Sequence, residues 1–149
     1  MTEARADRWS SISDSLLLAH CAALAEGAVA PVAATKNLRL EEWRVLDHLA
    51  RCGGAAMREM AVALLVASPT LTRTVDHLVS VGLVHRAPGA ADRRKIVVRL
   101  TRKGQTTHTS IVEAVSAAEE QVIARALGER DVEELRRLLG QIIAQDQNS

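Results

Sequence analysis

Between Gly82 and Leu100 the apolar residues change from a spacing near 3.6 to a strict alternation, and the helical spacing returns after Thr101. Leu83-Val84-His85-Arg86 reads as one short strand. Lys95 to Leu100, with Ile96, Val98 and Leu100 alternating against Lys95, Val97 and Arg99, reads as its partner. A chain of 149 residues must therefore place one hairpin late in an otherwise helical pattern. Composition narrows the choice further. The only aromatics are Trp9 and Trp43, with no Phe or Tyr, so a β-sandwich or barrel lacks the residues that strands favour, while Ala, Leu, Glu and Arg suit helices. The expected fold class is mostly α, in one domain or one domain plus an association element.

The helical segments follow from spacing and breakers. Asp7 to Ala30 carries Trp9, Ile12, Leu16, Ala19 and Ala23 at helical intervals, and Pro31 is expected to end it. Leu16, Leu17 and Leu18 cover more than half the circumference, so this helix needs neighbours on more than one side. Leu40 to Ala50 repeats the pattern through Trp43, Leu46 and Leu49 until Gly53-Gly54, and Ala56 to Leu65 predicts a short third helix on Met57, Met60, Ala61 and Leu64. Ser68-Pro69 marks the start of a fourth, with Ser as cap and Pro at the first helical position, and Gly82 closes it. Leu71, Val75 and Leu78 must face its core, which leaves Thr70, Thr72, Arg73, Thr74 and His77 outward. Pro88-Gly89 suits the centre of a type II turn in the hairpin. Thr101 can cap a fifth helix running to about Leu127 through Ile111, Val115, Ala118 and Val122. Gly128 breaks it, and Asp131 to Gln145 forms the last, on Val132, Leu135, Leu139 and Ile142.

Charge is unevenly distributed along this order. Residues 55–104 hold nine basic side chains against three acidic, whereas the rest of the chain holds ten basic against fifteen acidic. A cationic middle between acidic flanks points to a polyanionic partner for the middle and association for the ends. A short helix, a tight turn, a capped helix with a polar outward face and a basic hairpin together describe a winged helix-turn-helix. A helix fits the major groove of double-stranded DNA, where Thr and Arg read base edges, and an arginine on a wing can enter the negatively charged minor groove.

Gly82-Leu83-Val84-His85-Arg86, then Pro88, then Asp92-Arg93-Arg94-Lys95-Ile96-Val97-Val98-Arg99-Leu100-Thr101-Arg102-Lys103-Gly104 resembles the wing of the MarR family of bacterial regulators and its entry into the fifth helix. Leu40-Glu41-Glu42-Trp43-Arg44-Val45-Leu46 is similar to that family's second helix, and Leu71-Thr72-Arg73-Thr74-Val75-Asp76-His77-Leu78 to its recognition helix. The resemblance implies a winged-helix DNA-binding lobe over 38–104 and a helical dimerisation region from both termini, 7–36 and 105–147. It further implies a homodimer on a pseudo-palindromic operator, and repression relieved by a small anionic aromatic effector. The excess apolar surface of the first and last helices argues independently for a second copy. Several positions depart from the family pattern. The turn Leu64-Leu65-Val66-Ala67 lacks the usual glycine, which predicts strained backbone. Arg39 stands where Ser or Thr often caps, His77 where Arg is frequent, and Gly89-Ala90-Ala91 makes a less charged wing tip. Asp76 would repel phosphate unless paired with Arg73 or Arg86.

The expected DNA contacts are Ser68, Thr70, Thr72, Arg73, Thr74, His77, Arg86, Arg93, Arg94 and Lys95, with Arg94 preferred for the minor groove and Arg93 for shaping the loop beside Asp92. An effector cleft implied by the resemblance would draw on Arg8, Trp9, Ser13, Leu40, Trp43 and Val115, although Trp43 at this spacing also suits the core. Cys21 and Cys52 lack partners at metal spacing and read as buried free thiols. His20 and Cys21 point about 100° apart on a helix and no Tyr is near, which argues against peroxide sensing. His20, His48, His77, His85 and His108 never share an i, i+4 spacing, so no metal or cofactor is expected. No triad, phosphate loop or carboxylate pair suggests an enzyme. Met1 to Ser10 carries both charge signs, no apolar run long enough for a bilayer is evident, and a cytoplasmic protein is expected. The rival readings are a helical dimer whose winged lobe binds protein, and a cysteine-based redox regulator.

Overall fold

Local devices delimit several of the helices among the described residues, and the order of elements follows from them. The computed structural model describes residues 9–89, 92 and 94–146. The elements are α1 (Asp14–Ala34), α2 (Leu40–Cys52), β1 (Ala55–Ala56), α3 (Met57–Ala63), α4 (Ser68–Ser80), β2 (Val84–Pro88), β3 (Ile96–Leu100), α5 (Arg102–Ala124) and α6 (Glu129–Asp146). The Arg39 backbone N–H donates to Glu42 Oε2 at 2.9 Å and so fixes the start of α2. Gly53, with φ +72°, ends it by donating to Leu49 O at 2.9 Å. Gly82, with φ +73°, lets Leu83 N–H return to Leu78 O at 2.9 Å, which closes α4 and turns the chain into β2. Thr101 Oγ1 accepts Gly104 N–H at 3.0 Å, capping α5 as expected, and donates to Gly82 O at 2.7 Å.

Residues 29–116 form one compact unit. Its core takes one apolar stripe from each element: Trp43, Leu46 and Leu49 of α2, Met60 of α3, Leu71, Val75 and Leu78 of α4, Val84 and Val98 of the sheet, and Ile111 and Val115 of α5. Val29 and Ala33 from the end of α1 complete it. Each fully buried Leu or Val stabilises by roughly 1.5–3 kcal/mol relative to exposure. The sheet is antiparallel in the order β1-β3-β2, with Ala55 opposite Val98 and Val84 opposite Leu100 through to Pro88 opposite Ile96. The second unit comprises the terminal segments, described over 9–28 and 117–146. It holds an Arg136–Glu120 ion pair at 3.6 Å and leaves Leu16, Leu18, Leu24, Leu138, Ile142 and Ile143 exposed.

The mostly helical winged fold matches expectation, and several details do not. Pro31 does not end α1, which runs on to Ala34. The interior proline costs about 3 kcal/mol, but Val29 and Ala33 on either side of it are buried in the core and offset that cost. The helix starts at Asp14 rather than Asp7, because Ile12 N–H bonds Trp9 O in a separate turn. The expectation that no segment could span a bilayer is also corrected. By length and composition α1 is long and apolar enough, because Asp14 and Glu26 are its only charged residues. Ala55 and Ala56 pair with β3 as a two-residue strand, so α3 begins only at Met57. Pro88 and Gly89 do not form a type II turn: Pro88 pairs with Ile96, Gly89 N–H donates to Lys95 O at 2.7 Å, and Gly89 lacks the positive φ that turn requires. Cys21 and Cys52 are exposed, contrary to the buried thiols expected, since α1 buries only Val29 and Ala33 and Cys52 is the last residue of α2.

Candidate nucleic-acid interface

The polar face of α4 is set by its core stripe. With Leu71, Val75 and Leu78 buried, Thr70, Thr72 and Arg73 stand outward and exposed. Ser68 is also exposed but does not cap the helix. Ala67 is the extended residue before α4, so Ser68 is already helical, and its carbonyl accepts the Thr72 hydroxyl at 2.9 Å. Thr74 is a second correction. It is only 4% exposed, with Oγ1 donating to Thr70 O at 3.0 Å, because it lies beside Val75 on the margin of the buried stripe. Its hydroxyl is spent on the helix and does not face a groove.

His77 is half-exposed, and its Nδ1 lies 2.7 Å from Glu42 Oε1. The same oxygen accepts Arg39 Nε at 3.0 Å and Nη2 at 2.8 Å. Burial pushes the Glu42 carboxyl up. The Arg39 backbone N–H, the Arg39 guanidinium and His77 together outweigh that and hold it below its ordinary value, so it is ionised at neutral pH. A carboxylate only accepts, so His77 Nδ1 carries the proton. Neither Arg39 nor Glu42 was expected at the site. Their mutual contact is the local i, i+3 spacing of a helix start, but nothing local signals that His77, far along the chain, closes the cluster.

On the wing, Arg86 Nη2 donates to Asp76 Oδ1 at 2.6 Å, choosing one of the two partners foreseen for Asp76. This pair ties β2 to α4 and neutralises the carboxylate on the outward face. Asp92 Oδ1 accepts Arg94 N–H at 2.9 Å and shapes the turn into β3. Arg93 lies outside the described residues. Other cations of the basic segment are also structural: Arg99 Nη1 donates to Gly53 O at 2.9 Å and Lys103 Nζ to Val81 O at 2.7 Å, each at a helix C-terminus. Arg73, Arg94 and Lys95 are exposed and make no ion pair among the described residues. The turn into α4 is strained as foreseen. Leu65 adopts φ +54° and is 93% exposed.

The residues expected to line an effector cleft are distributed between the two units. Trp43 and Val115 are buried in the core of 29–116, and Leu40 is half-buried against it. Trp43 stacks on His108 with ring centroids 5.0 Å apart, and His108 Nε2 lies 3.0 Å from Asp47 Oδ1. Asp47 also pairs with Arg51. Trp9 and Ser13 belong to the terminal unit, where the Trp9 ring meets His20 edge-on at 5.5 Å and Ser13 Oγ lies 3.2 Å from Ser15 Oγ. Arg8 lies outside the described residues. No group of three or more His, Cys, Asp or Glu among the described residues is placed to hold a metal.

A helix with a hydroxyl- and guanidinium-bearing face, seated on a three-helix core and flanked by a three-stranded basic wing, defines a winged helix-turn-helix protein of the DNA-binding class. Residues 36–95 match the model of the MarR family. The chain is 28% identical over 134 residues to the homoprotocatechuate degradative operon repressor of Escherichia coli, covering 90% of this chain and 88% of that protein. Among solved structures, a MarR family transcriptional regulator from Silicibacter pomeroyi DSS superposes with a TM-score of 0.80 at 25% identity, over 89% of each chain. CouR from Rhodococcus jostii RHA1, solved bound to p-coumaroyl-CoA, gives 0.76 at 26%, over 89% of this chain and 92% of that one. The chain thus matches the MarR family over residues 36–95 and shares the winged-helix fold of solved MarR-family transcriptional regulators.

Proposed function

We propose that this regulator acts in the cytoplasm as a homodimer, with α4 of each subunit in the major groove of one half of a pseudo-palindromic operator and Arg94 of each wing in the adjacent minor groove. The observation that carries this reading is the state of the cations. Arg86 is used up on Asp76, which neutralises that face, while Arg73, Arg94 and Lys95 remain exposed and unpaired among the described residues. Ser68, Thr70 and Arg73 supply hydroxyl and guanidinium donors toward bases and phosphates, and Thr72, whose hydroxyl donates to Ser68 O, offers its oxygen as an acceptor. His77 adds an imidazole edge, Arg86 braces the wing through Asp76, and Arg93 belongs with the proposed DNA contacts.

The dimerisation region would be built from 7–36 and 105–147 and the winged lobe from 38–104, and the exposed apolar side chains of α1 and α6 support the first role. A small anionic aromatic effector would release the operator. Support comes from the relatives, since one repressor is named for an operon that degrades an aromatic acid and one structure holds an aromatic acyl thioester. Operator binding should fall steeply with rising salt, because phosphate contacts release counterions. Arg94→Ala should weaken binding by roughly 1–3 kcal/mol in fluorescence titrations at matched salt. Unchanged affinity would remove Arg94 from the interface. Salt-independent behaviour would favour a protein-binding role for the lobe.

A further inference from the structure

A buried carboxylate is costly to keep, and the 1% exposed Glu42 is kept by donors from two different elements. Its Oε1 receives Arg39 Nε, Arg39 Nη2 and His77 Nδ1, all within 3.0 Å. Donors that converge on one oxygen lie side by side, so the guanidinium at the start of α2 stands against the imidazole of α4. His77 follows Arg73 by one helical turn, on the same side of α4. The Arg39 side chain is nevertheless 64% exposed, and Nη1 is not among the nitrogens that bind Glu42.

We propose that Arg39 is a DNA-phosphate contact and that Glu42 is the positioning residue that docks it beside the recognition helix. The inference rests on the reading of α4 as the groove helix. Two features of the geometry carry it. The bidentate grip on Glu42 fixes the plane of the guanidinium, so its outer N–H groups meet a phosphate without first losing side-chain freedom. The same carboxylate leaves the two neighbours unequally equipped. His77 Nδ1 is taken up by Glu42, so that ring has one nitrogen left for an outside partner, whereas the Arg39 guanidinium keeps both Nη1 hydrogens and the second Nη2 hydrogen. The planar array suited to a phosphate is therefore that of Arg39.

The test uses the full-length protein and a fluorescein-labelled mixed-sequence duplex of about 30 base pairs, titrated over a range of salt, since phosphate contacts need no specific sequence. Arg39→Ala should weaken binding about tenfold and reduce the salt slope by about 0.9 for each bound subunit. Glu42→Gln separates positioning from charge. Removing a negative charge from the lobe would tighten binding by electrostatics alone, whereas loss of positioning weakens it, and the double variant should then be no weaker than Arg39→Ala. An unchanged slope in Arg39→Ala, or tighter binding in Glu42→Gln, overturns the inference. Should Glu42→Gln fail to fold, Arg39→Lys decides the matter at an exposed site: it keeps the charge and loses the Nε donor, so several-fold weaker binding supports positioning and wild-type binding refutes it. If Arg73→Ala and Arg94→Ala lose affinity while Arg39→Ala keeps its slope, only the Arg39 assignment fails. If wild-type binding ignores salt, the groove reading fails and takes this inference with it.

Discussion

Gly104 and Leu65 show how single residues carry the lobe. A Cβ added at Gly104 would sit 2.0 Å from Leu83 O, closer than any real packing allows, because the first turn of α5 passes against the chain entering β2. The Thr101-Arg102-Lys103-Gly104 run therefore needs glycine for space and not for a turn. Gly104→Ala should destabilise by about 3 kcal/mol in denaturant unfolding, since backbone must move to accept the methyl group. Leu65 is the opposite case. Its left-handed conformation costs roughly 1–2 kcal/mol, and its exposed side chain recovers little of that by burial. Leu65→Gly should raise stability by up to about 1 kcal/mol, the strain relief being partly offset by the entropy of glycine in the unfolded chain. A variant less stable than wild type would mean that the Leu65 side chain has a partner that compensates its strain.

Between elements, buried polar groups decide the registration. Glu42 joins α2 to α4, and the Trp43–His108–Asp47 cluster joins α2 to α5. The folded-state pKa of Glu42 is depressed, so its contribution to stability is complete above the ordinary carboxyl value of 4.5 and is lost as pH falls through the lowered folded value. The melting temperature of the wild type should consequently drop on the acid side of pH 4.5 more steeply than that of Glu42→Gln, with no difference in slope between pH 6 and 8 from this group. Parallel acid profiles would remove the ionised carboxylate from the folded lobe. His108→Ala should cost about 2–4 kcal/mol, because it removes the ring stacked on Trp43 and a hydrogen bond to Asp47 together.

For the whole molecule, the exposed apolar surface is the quantity to explain. Leu138, Ile142 and Ile143 of α6 and Leu16, Leu18 and Leu24 of α1 are exposed in a single chain, which is the expected state of a face that a second copy covers. Ile142→Glu should shift sedimentation at micromolar concentration from dimer toward monomer. It should also weaken binding to a two-half-site operator far more than to a single half-site, since linkage of two recognition helices supplies the effective concentration. A monomeric wild type would sink the dimeric reading while leaving the winged lobe intact.

What the sequence determined by itself were features that depend on near neighbours along the chain. The change of apolar period marks the wing, Gly82 and Thr101 close and open the helices around it, and the Leu71–Val75–Leu78 stripe orients α4. Each is a property of a few consecutive residues, so spacing and side-chain chemistry reveal it. The tertiary structure decided what depends on residues distant in sequence. It buried Thr74, carried α1 through Pro31, recruited Ala55–Ala56 as a strand, spent Arg86 on Asp76 and Arg99 on Gly53, and gathered Arg39 and His77 around Glu42. A charge count treats all nine basic residues of 55–104 alike, because only the fold determines which of them meet a carboxylate or a carbonyl and which stay exposed.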